Sequence, residues 1–292
     1  MSNASNVNGN QGRVATAAEL YASIKAAAKA GDLDNLKATL SEWRSNPTVS
    51  GPSQQNVNYL ISLAAEEEGQ PEVLRYLLSE GGEFNTYTIG QTKSPVIFQI
   101  FIDHGWKVDN AVFGSHMTNP DLVALFLSHG ADPRGKSSEN SFSLLDRAAL
   151  HAPLETIKLL TLYGATIEPD SAALHAAAQG DAPDRISVMA FLLEHGADIN
   201  SFAADIPAPS EARRSGRKGT PLHTAYKWKS EEAKTWLLEH GVDPTIKNAA
   251  GETPEVWGRR FDSDGPEKGV RLRRAILRKN KAEKEEAEAE SR

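Results

Sequence analysis

The chain has 292 residues, 39% of them hydrophobic, and a formal net charge of −7 from 32 basic and 39 acidic side chains. That is enough apolar material for two compact domains or one elongated array, and the acidic balance excludes a global attraction to nucleic acid or anionic lipid, leaving only local patches. With no cysteine there are no disulfides, no thiolate zinc site and no cysteine nucleophile, which suits a reducing compartment.

In chain order, "MSNASNVNGNQGR" has no apolar run that could serve as a signal peptide, and nowhere do 18 apolar residues follow one another. The expectation is a soluble intracellular protein with a disordered segment at 1–16. "IKAAAKAGDLDNLKATL" (Ile24 to Leu40) and "SLAAEEEGQPEVLRYLLSEGG" (Ser62 to Gly82) each place Ala-Ala and then Gly between two helical stretches. Glu66, Glu67 and Glu68 read as a solvated helix end, with a partner contact as the alternative. Between Gly81 and Gly130 the second helices are present but the first helices are shortened or missing, so residues 82–130 form an irregular stretch. "LLDRAALHAP" (Leu144 to Pro153) is a loose copy of a first helix, and "ALHAAAQGD" (Ala173 to Asp181) is a closer one with Ala at tightly packed positions. "SFAADIPAPSEARRSGRK" (Ser201 to Lys218) is an insertion, followed by "TPLH" at Thr220 to His223.

Six segments close in the same way, on an apolar stretch, a polar residue or two, and a Gly. These are Gly81, Gly105, Gly130, Gly164, Gly196 and Gly241, at intervals of 24, 25, 34, 32 and 45 residues. Two intervals lie near 33, two are about nine short, and the last contains the insertion, so this is a repeat array with irregular members. Each unit reads as two helices and a turn. Val188, Phe191 and Leu192, or Ala233, Trp236 and Leu237, fall at i, i+3 and i+4 and mark one buried face. The Gly after each second helix stands where a helix ends in a left-handed residue. Thr220 is an N-cap and Pro221 suits the first helical position, where its missing donor would be unsatisfied anyway.

On these residues the chain resembles the ankyrin-repeat family. The T-P-L-H-x-A opening and L-L-x-x-G-A-D closing of that family's repeat, roughly 33 residues long, are met by "GTPLHTA" with "WLLEHGVDP" and by "ALHAAA" with "FLLEHGADIN". The compressed repeats are similar to those of ankyrin proteins of filamentous fungi. The resemblance implies an all-α ankyrin-repeat solenoid over residues 17–260, of six to seven helix-turn-helix units with short hairpin loops. Residues 261–292 are expected to supply a C-terminal capping helix, on a partial stripe of Val270, Ile276 and Leu277, and a charged tail. It also implies that His223 bonds around the Thr220 hydroxyl and nearby backbone, and that His175 has lost that partner.

Six of the eight histidines are explained by this architecture: His104, His129, His195 and His240 precede the terminating Gly, and His175 and His223 occupy the T-P-L-H slot. His116 and His151 stay unassigned, with no helical H-x-x-x-H pair for a metal. There is no G-x-S-x-G, no P-loop and no G-x-G-x-x-G after a strand, so the expectation is no enzyme, no cofactor and no metal. The resemblance implies instead a non-catalytic scaffold that binds another protein, as a monomer, through a concave face of first helices and hairpin tips. Tyr226, Lys227, Trp228 and Lys229, after "TPLHTA", are the expected exposed contacts, with packing of Trp228 on the adjacent helix as the alternative; Arg134, Lys136, Phe202 and Lys247 are the hairpin-tip candidates. Trp106 reads as a cover over the irregular repeat.

Arg213, Arg214, Arg217 and Lys218 form a basic stretch in the insertion, and seven Lys or Arg lie between Lys268 and Lys281. Either a solvated face or nuclear targeting follows, so the expected location is the cytoplasm, with the nucleus and a transcriptional co-regulator role as the alternative. No groove-reading module accompanies the charge, and direct nucleic-acid binding or membrane contact is not expected. A third reading is a small-molecule binder or enzyme with a pocket near His116.

Overall fold

The computed structural model describes residues 15–66, 68–136, 143–168, 171–204, 218–259 and 261. The expected terminal segments 1–14 and 262–292 lie outside these, as do Glu67 and most of the insertion. The chain divides into two compact units, Met1–Val108 and Asp109–Arg292.

The first unit contains three helix pairs: α1 (Ala17–Ala30) with α2 (Leu33–Ser45), α3 (Gln54–Ala65) with α4 (Pro71–Ser79), and α5 (Thr86–Gln91) with α6 (Pro95–Asp103). The second contains four more: α7 (Asn110–Ser115) with α8 (Pro120–Ser128), α9 (Leu144–His151) with α10 (Leu154–Leu162), α11 (Ala173–Gln179) with α12 (Arg185–Glu194), and α13 (Pro221–Lys227) with α14 (Glu231–Glu239). A further short helix, α15 (Pro254–Arg259), follows. Within each unit, first helices pack on first helices and second on second, as in α1 on α3 on α5 and α9 on α11 on α13 on α15. Each unit is therefore a two-layer stack of helix pairs, the all-α helical-repeat architecture expected. The described residues hold seven pairs and the first helix of an eighth.

Local chemistry sets each helix. Thr16, Ser53 and Ser143 close reciprocal capping boxes with Glu19, Asn56 and Asp146. Pro71, Pro95, Pro120 and Pro221 sit in the first turn of α4, α6, α8 and α13, where a missing N–H costs nothing. All six repeated glycines have positive φ, from 85° at Gly81 to 106° at Gly196. Their neighbours' amides turn back onto the last helical carbonyls, as Ala131 N–H does to Phe126 O at 3.0 Å.

In the irregular stretch the first helices are short rather than missing. α5 and α7 have six residues each, and their ends are satisfied by Asn85, which accepts from Thr88 N–H, and Asp109, which accepts from Val112 N–H. Large rings take up the volume the shortened helices leave. Phe98 and Phe101 are fully buried in the first unit, where Trp106 lies against Phe98 at 5.6 Å between centroids; Phe113 and Phe126 meet edge to face in the second. The stripe assigned to α12 needs one correction. Val188 and Leu192 are buried as expected, but Met189 takes the third core place while Phe191 is half-exposed, stacked on the His195 ring at 3.9 Å.

Alanine lines the contact between first helices: Ala148, Ala149, Ala176, Ala177 and Ala225 have no exposed surface. The approach is closest at Gly180, where an added Cβ would lie 1.9 Å from the Leu150 carbonyl oxygen, whereas a Cβ on Gly241 meets nothing within 4 Å. Gly180→Ala is expected to cost more than about 2 kcal/mol by forcing α9 and α11 apart. Gly241→Ala should cost only about 1 kcal/mol, for the left-handed backbone. Urea denaturation of the two variants checks the order.

Candidate functional site

The "TPLH" histidine is a joint between repeats. His223 Nδ1 accepts from Thr220 N–H at 3.1 Å, with the Thr220 hydroxyl 2.9 Å from the same nitrogen, and Nε2–H donates to Glu252 O at 3.0 Å. An amide can only donate and a carbonyl can only accept, so the ring is held as the neutral Nε2–H tautomer. His175, without a Thr at its cap, still donates from Nε2 to Gly219 O at 3.0 Å. In both cases the acceptor is the carbonyl immediately before the next repeat's T-P cap position, Thr220 or Thr253. Both rings are 1% exposed. His223→Ala leaves the buried Thr220 N–H without its acceptor, while Glu252 O keeps the bond from Asn248 N–H, and a loss of roughly 1 to 3 kcal/mol is expected by chemical denaturation.

The remaining histidines acquire roles as well. His104, His129, His195 and His240 are C-cap residues whose Nδ1–H donates to the carbonyl four residues back, at 2.7 to 2.9 Å. His116, left unassigned by the sequence, does the same at the end of α7, on Val112 O at 2.8 Å, and packs edge-on against Phe126. His151 bonds the Asp181 carboxylate at 2.8 Å across to the α11–α12 loop, and this contact, more than any other, holds that carboxyl below the usual range. Among the described residues no three His, Asp or Glu side chains are placed to hold a metal ion. An open polar cavity of about 380 Å³, lined by Lys29, Leu63, Glu66, Gly69, Gln70 and Gln91, lies in the first unit rather than at His116.

The candidate contact residues fall into two groups. Around the end of α13, Tyr226, Trp228 and Lys229 are half-exposed, while Lys227 is buried rather than exposed. Its ammonium lies between the Trp228 and Phe261 rings, 5.9 and 5.8 Å from their centroids. Tyr226 packs against Gly258 of α15 and carries the Lys234 ammonium over its ring at 5.3 Å. Among the described residues Lys229 is the non-glycine residue with positive φ, 52°. It occupies the turn between first and second helices where α1–α2 and α3–α4 have the left-handed Gly31 and Gly69. Arg185, which no sequence pattern singled out, reaches across from the preceding repeat and donates to Ser230 Oγ at 2.7 Å, beside Lys229.

The second group lies on the hairpins and is not gathered into one place. Arg134, Lys136, Phe202 and Lys247 are all exposed, each on a different stretch of hairpin except for the neighbouring Arg134 and Lys136. Arg134 also donates from Nε to Gly164 O at 2.8 Å, which ties one hairpin to the next. Ala203–Ala204 and Lys218–Gly219 pair antiparallel and close the base of the insertion. Arg213, Arg214 and Arg217 lie outside the described residues, as does the side chain of Lys218.

Stacked helix pairs, shared helix-end glycines and histidine joints define the class as a helical-repeat protein. Residues 170–203 match the model of the ankyrin repeat, over α11, α12 and the hairpin strand that follows. The chain contains an ankyrin repeat, and helix pairs consistent with the same repeat plan flank it on both sides. No curated protein matches it. Ankyrin repeats are interaction modules, typically non-catalytic, and no helix of the described residues is long and apolar enough to cross a membrane.

Proposed function

We propose that the chain is a non-catalytic adaptor that holds another protein at the end of α13, with Trp228 and Lys229 as the central contacts and Tyr226 as their support. The observation that supports this most is the left-handed backbone at Lys229. A lysine there is strained by about 1 kcal/mol where glycine would be free, and strain of this kind collects at functional sites. A half-buried tryptophan before it, and Arg185 bonded to the Ser230 that follows it, have the composition of an interface anchor.

Strain and binding give opposite expectations for one substitution. Lys229→Gly should raise stability by about 1 kcal/mol while weakening capture of the partner, and Trp228→Ala should weaken capture with little change in melting temperature. Affinity purification with each variant, followed by identification of the bound proteins, checks this. Capture unchanged in both variants removes the site.

A second reading, a nuclear co-regulator, draws support from the sequence of the basic run Arg213, Arg214, Arg217 and Lys218 within the insertion. A fluorescently tagged chain should enter the nucleus and return to the cytoplasm when all four are neutralised. An intact chain that stays out of the nucleus removes this reading and leaves the cytoplasmic adaptor.

A further inference from the structure

Two repeats of the second unit are joined through one side-chain position, and a third repeat carries a different group there. His175 and His223 each stand three residues after the cap and present Nε2–H to the next repeat, on Gly219 O and Glu252 O. In the preceding repeat that position, three residues after the cap Ser143, is Asp146. Asp146 closes the capping box as His223 does: its Oδ2 accepts from Ser143 N–H at 3.2 Å, and its own N–H donates to Ser143 Oγ at 3.0 Å. The other oxygen, Oδ1, corresponds to the imidazole Nε2. It is buried with no hydrogen-bond partner, and the residue is 8% exposed. By the same register, the carbonyl before the next cap, Ala172, belongs to Ser171.

We propose that Asp146 is a proton-operated joint between the α9–α10 and α11–α12 repeats. With a hydrogen on Oδ1 the side chain donates to the backbone of the next repeat, as the two histidines do; without it, acceptor faces acceptor. An ionised carboxylate has no donor, and burying its charge without a partner is costly. Burial pushes the Asp146 carboxyl above its ordinary value, against the bonds from Ser143 and the charge of Lys136. Few other groups are in a position to intervene. The only titratable side chain on α11 is His175, already bound to Gly219 O; α10 carries Glu155 and Lys158 on its exposed side, and α7 carries none. On α9 itself, Arg147 donates to Gly114 O and His151 faces Asp181.

The sign follows from linkage. A carboxyl with a raised folded-state value stabilises the fold when protonated, and that contribution is lost as pH rises through the folded value. Asp146→Asn carries a permanent donor. Its melting temperature should therefore exceed that of the wild type by several degrees at neutral pH, and the gap should close as pH falls into the carboxylate range. Parallel curves, or no gap at neutral pH, overturn the proposal. Titration of the side-chain carboxyl carbon by NMR in the wild-type chain provides a measurement independent of any variant. A midpoint above the ordinary aspartate range supports the joint, and one at or below it overturns it.

Discussion

Close approach between successive first helices is the constraint on which the second unit depends. A helix of seven or eight residues is too short to be stable alone, so α9, α11 and α13 exist because each buries a face against the next. That contact tolerates only small side chains, which is why alanines fill it and why Gly180 touches the Leu150 carbonyl. Nearness of this kind also brings backbone polar groups of one repeat within reach of side chains of another. The histidine joints at His175 and His223 follow from the spacing that the alanines allow. Packing and polar satisfaction are thus one arrangement, and neither would hold without the other.

The same spacing determines what remains available to a partner. Four of the second helices, α6, α8, α12 and α14, end in C-cap histidines whose Nδ1–H groups bond their own helix, so those imidazoles are committed to the fold. The hairpins and the turn after α13 are not. Where the α1–α2 and α3–α4 pairs have glycine, Lys229 stands in a conformation it does not favour, with Trp228 before it and Arg185 bonded to the following Ser230. Departures from a repeating plan are where an interaction module acquires its specificity, because the plan itself is common to all its members.

Much of this architecture was legible in the sequence because punctuation recurs. Six glycines aligned the repeats, and all six adopt the left-handed conformation that alignment implied. The short helices α5 and α7 were harder to read, since six residues do not complete two turns and show no full apolar period. The α15 helix was missed although "TPEVWG" begins with Thr253 and Pro254, because no L-L-x-x-G closing follows it. The position of Lys227 after "TPLHTA" places it among the expected exposed contacts. It is buried because α15 and Phe261 close over it, a contact between residues more than thirty positions apart. Asp146 gave no signal as a single letter; it acquired meaning only when the histidines of its register were seen to reach forward into the next repeat.

The two-residue pairing of Ala203–Ala204 with Lys218–Gly219 acts as a clasp at the base of the insertion. It fixes where the chain leaves the stack and where it returns, so α12 and α13 are blind to what lies between. The entropy of closing a flexible loop grows only logarithmically, by about 0.6 kcal/mol for each doubling of length. Sequence of almost any length and character can therefore be exchanged above the clasp while the register of the repeats on either side is kept. The insertion is the place where the molecule can change its vocabulary without altering its grammar.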